Sequence, residues 1–168
     1  YIAVWHATEN LYKTNLKGEV KQLSNDLADF GSLQMLSEKT LVAERHSYTA
    51  PADLYVVTPG DTISDTQVKQ ITEVNKDILD QLAKPTVEQR WVKTTDGKEM
   101  LTWVILPPHF DAAKKYPTLL FCEGGPQSAV SQFCLVRQKD LTVRAWRPSV
   151  VCWAGWNLTR WMFRLPKL

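Results

Sequence analysis

Glu123, Gly124 and Gly125 are the residues of this chain whose types and order best suit chemistry. They follow the apolar run Thr118-Leu-Leu-Phe-Cys122 and precede Pro126-Gln-Ser128. Contiguous Leu119, Leu120 and Phe121 predict a strand buried on both faces of a mostly parallel sheet. A glycine pair directly after such a strand lets the backbone turn sharply and bring its N–H groups close to a ligand. Backbone donors placed in this way hold the oxyanion of a tetrahedral intermediate, which makes Glu123, Gly124 and Gly125 oxyanion-loop candidates on the substrate-binding side of an acyl-transfer site. An ionised Glu123 side chain only accepts hydrogen bonds and would repel an oxyanion, so its backbone is the part that fits the role.

Acyl transfer of this kind needs a nucleophile elbow, an acid and a histidine, following in that order. The seven glycines stand at 18, 31, 60, 97, 124, 125 and 155, and no two of them bracket a serine as G-x-S-x-G. The last histidine, His109, lies upstream of the loop. No catalytic residue is therefore assigned. His6, His46 and His109 read as packed or surface residues, and Glu44-Arg45-His46 as a surface strand, with contact to a peptide terminus as the alternative. H-E-x-x-H, C-x-x-C, Walker and G-x-G-x-x-G patterns are all absent, so no metal or cofactor is expected. Cys122, Cys134 and Cys152 are odd in number and unpatterned, as free thiols are.

The elements that must position the loop begin with a repeat. Leu11-Tyr12 leads through Gly18 to Val20-Lys-Gln-Leu-Ser24, and Leu54-Tyr55 leads through Gly60 to Val68-Lys-Gln-Ile-Thr72. The copies are offset by 43 residues at their start and 48 at their end. A period of about 40–50 residues built on hairpins predicts β-propeller blades, with an antiparallel sandwich as the alternative. Residues 1–24 would supply the last three strands of one blade and residues 27–72 a complete one, with Ser32–Leu36 and Thr40–His46 as its inner strands. Val74, Ile78 and Leu82 then mark one apolar stripe on a short helix or helical linker within 73–86, ended by Pro85. A hairpin follows: Val87–Thr94 and Met100–Leu106 around Thr95-Asp-Gly-Lys98, where Asp-Gly is a strong turn signal.

The balance of the chain changes after Phe133. From Cys134 onward seven Lys or Arg oppose Asp140 alone, a net charge of +6, whereas the first 133 residues hold 13 basic and 17 acidic groups, a net charge of −4. Four of the seven tryptophans, at 146, 153, 156 and 161, lie in this tail. Its apolar positions keep no sustained period, and Pro148, Gly155 and Pro166 interrupt it. Three readings stay open for 134–168: an irregular native tail, a stretch read out of frame or otherwise not native, and a basic Trp-rich segment that contacts a polyanion. Neither nucleic acid nor membrane is the expected partner. At 168 residues and 44% hydrophobic content the chain can bury a core, and its start at Tyr1 without Met suggests a piece or a processed product.

The motifs together resemble one family. Glu88, Arg90 to Thr94 and Asp96 to Lys98 form E-x-R-W-x-K-T-x-D-G-K, followed by Trp103 to Ile105, Pro107, Pro108, Phe110 and Asp111, then Lys115 to Pro117 and Gly124 to Ser128. This series is similar to the prolyl oligopeptidase family of serine peptidases, in its bacterial dipeptidyl-peptidase-like or acylaminoacyl-peptidase-like branch. The resemblance covers about residues 1–133. It implies a mostly β chain with some α/β character, with partial β-propeller blades at 1–72, a linker at 73–86 and the N-terminal strands of an α/β-hydrolase domain at 87–133. It also implies a parent enzyme that cleaves short peptides, in the periplasm or cytoplasm of a bacterium. The triad would lie outside the matching residues, leaving this chain inactive alone. A non-catalytic β-rich binding module is the alternative. A partial ring exposes strand edges and one blade face, so self-association is expected.

Overall fold

The computed structural model describes residues 1–123, residue 131 and residues 150–155. Of these, 1–83 with 131 fall into one compact unit, and 84–123 with 150–155 into a second.

The first unit opens with β1 (Ile2–Trp5), β2 (Thr8–Thr14) and β3 (Val20–Gln22), an antiparallel sheet in the order β1-β2-β3. It continues with β4 (Asp29–Ser37), β5 (Thr40–Ser47), β6 (Ala50–Thr58) and β7 (Gln67–Gln70), an antiparallel sheet in the order β4-β5-β6-β7. Turn chemistry fixes these hairpins. Gly18 takes a φ of +83°, and its N–H donates to the Asn15 carbonyl at 3.0 Å, closing a turn in which a left-handed glycine is the natural residue. Asn15 Oδ1 also accepts from the N–H groups of Lys17 and Glu19. The β1–β2 turn is tighter: Trp5 pairs with Thr8, leaving His6 and Ala7 at φ of 51° and 56°. Two successive left-handed non-glycine residues cost energy. Thr8 Oγ1 offsets part of that by donating to the Trp5 carbonyl at 2.9 Å, and the His6 ring stacks 4.6 Å from Trp5.

The sequence repeat has a three-dimensional counterpart. In the first copy Tyr12 pairs with Gln22, and in the second Tyr55 pairs with Gln70. Ser24 Oγ accepts from the Leu11 N–H at 2.9 Å and donates to Asn10 Oδ1 at 2.8 Å. Thr72 Oγ1 repeats this, accepting from the Leu54 N–H at 2.8 Å and donating to Asp53 Oδ1 at 2.8 Å. Gln22 and Gln70 each donate to the carbonyl two residues on, at 2.7 and 2.8 Å. The recurring V-K-Q-[LI]-[ST] is therefore a strand ending. Its terminal hydroxyl satisfies the first free N–H of the neighbouring strand, and its Gln fixes the chain's exit.

The core of this unit lies between the two sheets. Leu11 and Leu23 of the first sheet pack on Phe30, Ala43 and Val57 of the second, with Ile2, Leu33, Leu41 and Val68 around them. Leu11 and Leu23 are cross-strand partners on one face, through the Leu23 N–H to Leu11 carbonyl bond of 2.7 Å. At the far end of the turns, Lys13 Nζ reaches the Gly60 carbonyl and Asp61 Oδ1, both at 2.6 Å. Past β7 the expected helix shrinks to one turn, α1 (Lys76–Leu79). Val74, Ile78 and Leu82 are all exposed, so the apolar stripe meets no partner among the described residues. An unpacked helix this short does not hold in water, which accounts for the difference.

The second unit contains β8 (Thr86–Lys93) and β9 (Glu99–Leu106), the expected hairpin, paired from Thr86 with Leu106 to Lys93 with Glu99. Gly97, at φ +80°, donates its N–H to the Thr94 carbonyl at 3.0 Å and closes the turn. β10 (Thr118–Glu123) and β11 (Val150–Gly155) complete a mixed sheet in the order β10-β11-β9-β8. β10 and β11 are parallel and β11 is antiparallel to β9. Two sequence expectations differ here. The strand buried on both faces is β9, where Thr102 to Leu106 are buried without alternation, whereas Leu119 and Leu120 of β10 are exposed. β10 stands at the sheet edge with no described element over it, so apolar composition there does not produce burial. The apolar positions of 134–168 keep no sustained period, yet six of these residues form β11 between β10 and β9.

Candidate functional site

Glu123 is the last residue of β10 and pairs in register with Gly155, the last residue of β11. Two parallel strands thus end level at their carboxyl termini. In open sheets with parallel strands, ligands bind outside those carboxyl ends, where loops gather. The described part of β10 reaches such an end at Glu123. Gly124 and Gly125, the other oxyanion-loop candidates, lie outside the described residues.

Chemistry-bearing side chains that the sequence reading kept apart converge in the first unit. Asp29 is buried, at 1% exposure, at the start of β4 and pairs across the ladder with His46 of β5. Its Oδ1 accepts the Glu9 N–H at 2.8 Å, and its Oδ2 accepts from Ser131 Oγ. His46 Nε2 lies 3.8 Å from the same Oδ2. Ser131 Oγ also stands 3.3 Å from the Ala7 carbonyl, at the strained turn. Glu9 completes the group: burial and, after it, the Asp29 charge push its carboxyl above the ordinary range, while His46 draws it back.

A serine, a histidine and an aspartate are therefore close together, but in the wrong order for nucleophilic catalysis. In a triad the imidazole stands between hydroxyl and carboxylate and takes the hydroxyl proton. Here the carboxylate stands between the other two, and the hydroxyl donates to it. The arrangement holds Ser131 and the β1–β2 turn in place. Sequence separation of 102 residues between Asp29 and Ser131 left no local signal for it.

The neighbouring triplet Glu44-Arg45-His46 divides its roles. Arg45 lies over the rings of Tyr55 and Phe30, at 5.3 and 5.8 Å, and pairs with Asp26 at 3.0 Å. These contacts pack it within the first unit. His109 has a φ of 59° in the loop after β9, and His6 belongs to the β1–β2 turn. Among the described residues no group of His, Cys, Asp and Glu is arranged to hold a metal ion. No described helix is long and apolar enough to cross a membrane.

Comparison with known proteins places the chain. No protein-family model matches it. It is 43% identical over 134 residues to dipeptidyl-peptidase 5 of Porphyromonas gingivalis, covering 79% of this chain and 19% of that protein. It is 37% identical over 157 residues to dipeptidyl-peptidase 5 of Porphyromonas endodontalis, covering 93% of this chain and 21% of that protein. This second likeness reaches past residue 133, where the sequence motifs stop. Among solved structures, an acylaminoacyl peptidase in complex with Z-Gly-Gly-Phe-chloromethyl ketone shares the fold, with a TM-score of 0.68 at 21% identity over 89% of this chain and 22% of that one. The chain spans about one fifth of the length of the curated relatives it matches. It belongs to the prolyl oligopeptidase family of peptidases.

Proposed function

We propose that this chain is the part of a serine peptidase that joins the last blades of a β-propeller, residues 1–72, to the opening strands of an α/β-hydrolase domain, residues 87–133, through a linker at 73–86. The whole enzyme cleaves short peptides by acyl transfer. The 43% identity over 134 residues to a dipeptidyl peptidase carries this reading. Support comes from β10, which ends at Glu123 level with a parallel neighbour, where a loop of backbone donors is well placed. In the parent enzyme the N–H groups of Glu123, Gly124 and Gly125 would receive the oxyanion. Removing one such donor typically costs about 2.7–4 kcal/mol of transition-state stabilisation.

The sequence has no G-x-S-x-G elbow and no histidine after His109, so the chain by itself is inactive. Ser131, bonded to Asp29, does not take the nucleophile's part. Treatment with a serine-reactive phosphonate, read by mass spectrometry, tests this. The expected result is no labelling of the isolated chain, together with labelling of an enzyme that carries this segment and a downstream elbow. Stoichiometric labelling of one serine in the isolated chain would refute the inactive reading.

A further inference from the structure

Of the seven glycines, only Gly97 follows an aspartate, and none follows an asparagine. Asp-Gly is a sequence in which a backbone amide can attack its neighbour's side chain, because glycine has no Cβ to shield the nitrogen. The Gly97 nitrogen would bond to Asp96 Cγ, while its proton and the carboxyl's OH leave as water. The succinimide ring so formed then takes up water. Opening at Cγ restores aspartate. Opening at the main-chain carbonyl of Asp96 leaves isoaspartate, with the backbone running through Cγ.

Ring closure makes two demands. The amide must give up its proton, and the carboxyl must be neutral, since an ionised carboxylate has no hydroxyl to release. Thr94 bears on both. The Gly97 N–H donates to the Thr94 carbonyl at 3.0 Å, so the attacking group's proton is engaged. Thr94 Oγ1 donates to Asp96 Oδ1 and lies 2.9 Å from the Lys98 carbonyl. The Lys98 N–H is 3.4 Å from the same Oδ1, and Lys98 Nζ is 3.4 Å from Oδ2. The Thr94 hydroxyl, ahead of these Lys98 groups, holds the Asp96 carboxyl below its ordinary range, with burial as a lesser opposing effect. Water reaches the turn freely, because Thr95 to Lys98 are exposed.

We propose that Asp96–Gly97 is a site of spontaneous isomerisation to isoaspartate, and that Thr94 is the residue that holds the reaction back. Closure waits for the turn to open locally. Its consequence falls on the hairpin, because isoaspartate adds a backbone carbon at the turn that sets Lys93 against Glu99. The inference rests on the β8–β9 turn and not on the peptidase reading, so either can fail without the other.

Ageing the full chain at neutral pH tests it, with isoaspartate at residue 96 read by peptide mapping and by isoaspartyl methyltransferase labelling. The wild-type chain should react at least about tenfold more slowly when folded than when unfolded in urea, since reaction requires local opening. Thr94→Val removes the hydroxyl and keeps the carbonyl. It should raise the folded rate several-fold and leave the rate in urea unchanged, whereas Thr94→Ser should keep the slow folded rate. Equal wild-type rates in the two states would overturn the proposal. So would a Thr94→Val rate equal to wild type while hydrogen exchange shows β8 and β9 intact. Should Thr94→Val open the hairpin, Asp96→Asn gives the second reading. Its ring closure expels ammonia and needs no neutral carboxyl, so slower deamidation in the folded chain reports the turn's hold on the Gly97 amide. Equal deamidation folded and unfolded would overturn the proposal.

Discussion

Removing the hydroxyl of Ser24 should cost far more than removing that of Thr72, although the two occupy corresponding places. Ser24 is 4% exposed and Asn10 1%. With Ser24→Ala the Leu11 N–H and Asn10 Oδ1 both lose their partner inside the core, since Ser24 Oγ serves each at 2.9 and 2.8 Å. A buried polar group left unpaired costs about 1–3 kcal/mol, so two give a loss of about 2–4 kcal/mol once some relaxation is allowed. The disturbance also reaches Thr8, because Asn10 Nδ2 donates to its Oγ1 at 2.8 Å. With Thr72→Val the Leu54 N–H lies on an exposed residue and can bond water. Asp53 Oδ1 keeps the Val74 N–H at 3.2 Å and Oδ2 keeps Gln70 at 3.3 Å. That loss should stay at about 0.5–1 kcal/mol. Native-state hydrogen exchange read at the Leu11 and Leu54 amides measures both changes locally, without assuming that the two units unfold together. A Ser24→Ala loss under about 1 kcal/mol, or equal losses at the two sites, would refute the reasoning, which rests on the burial of Ser24 and Asn10 and on the partners that Asp53 keeps.

Two further outcomes follow from the same unit. Ala7→Gly should stabilise the chain by about 0.5–1 kcal/mol, since relieving a left-handed alanine outweighs the added flexibility, and His6→Gly should gain less because it forfeits the stack on Trp5; urea titration of both variants measures this, and destabilisation by Ala7→Gly would contradict the turn assignment. The raised Glu9 carboxyl holds its proton more tightly in the folded than in the unfolded state, so its penalty is absent below the unfolded value and grows as pH rises through the folded one. Glu9→Gln should therefore raise the melting temperature at pH 7, with the gain vanishing below about pH 4.3; a gain independent of pH would show that the carboxyl's charge is not the cause.

Much of the local structure was legible in the residues. Gly18 and Gly97 sit at left-handed turn positions, where composition alone points to them, and the hairpin around Asp96-Gly97 forms as its dipeptide implies. The repeat was legible as well, because a strand ending that needs a Gln and a hydroxyl at fixed spacing leaves that spacing in the sequence. The series from Glu88 to Ser128 was enough to point to the family. Tertiary structure decided the rest. Whether an apolar run is buried depends on what lies over it, so Leu119 and Leu120 are exposed at a sheet edge while Trp103 to Leu106 are covered. The stripe of Val74, Ile78 and Leu82 has helical spacing but lacks the packing that would hold a helix. Strand β11 carries no period of its own and is a strand because β9 and β10 offer it ladders on both sides. The Asp29 cluster joins residues 9, 29, 46 and 131, and only the folded chain brings carboxylate, imidazole and hydroxyl to one point, in an order that anchors and does not activate. Spacing along the chain determines turns and strand endings because those interactions are local. Burial, partner choice and the order of groups around a charge are set by contacts between residues far apart in sequence.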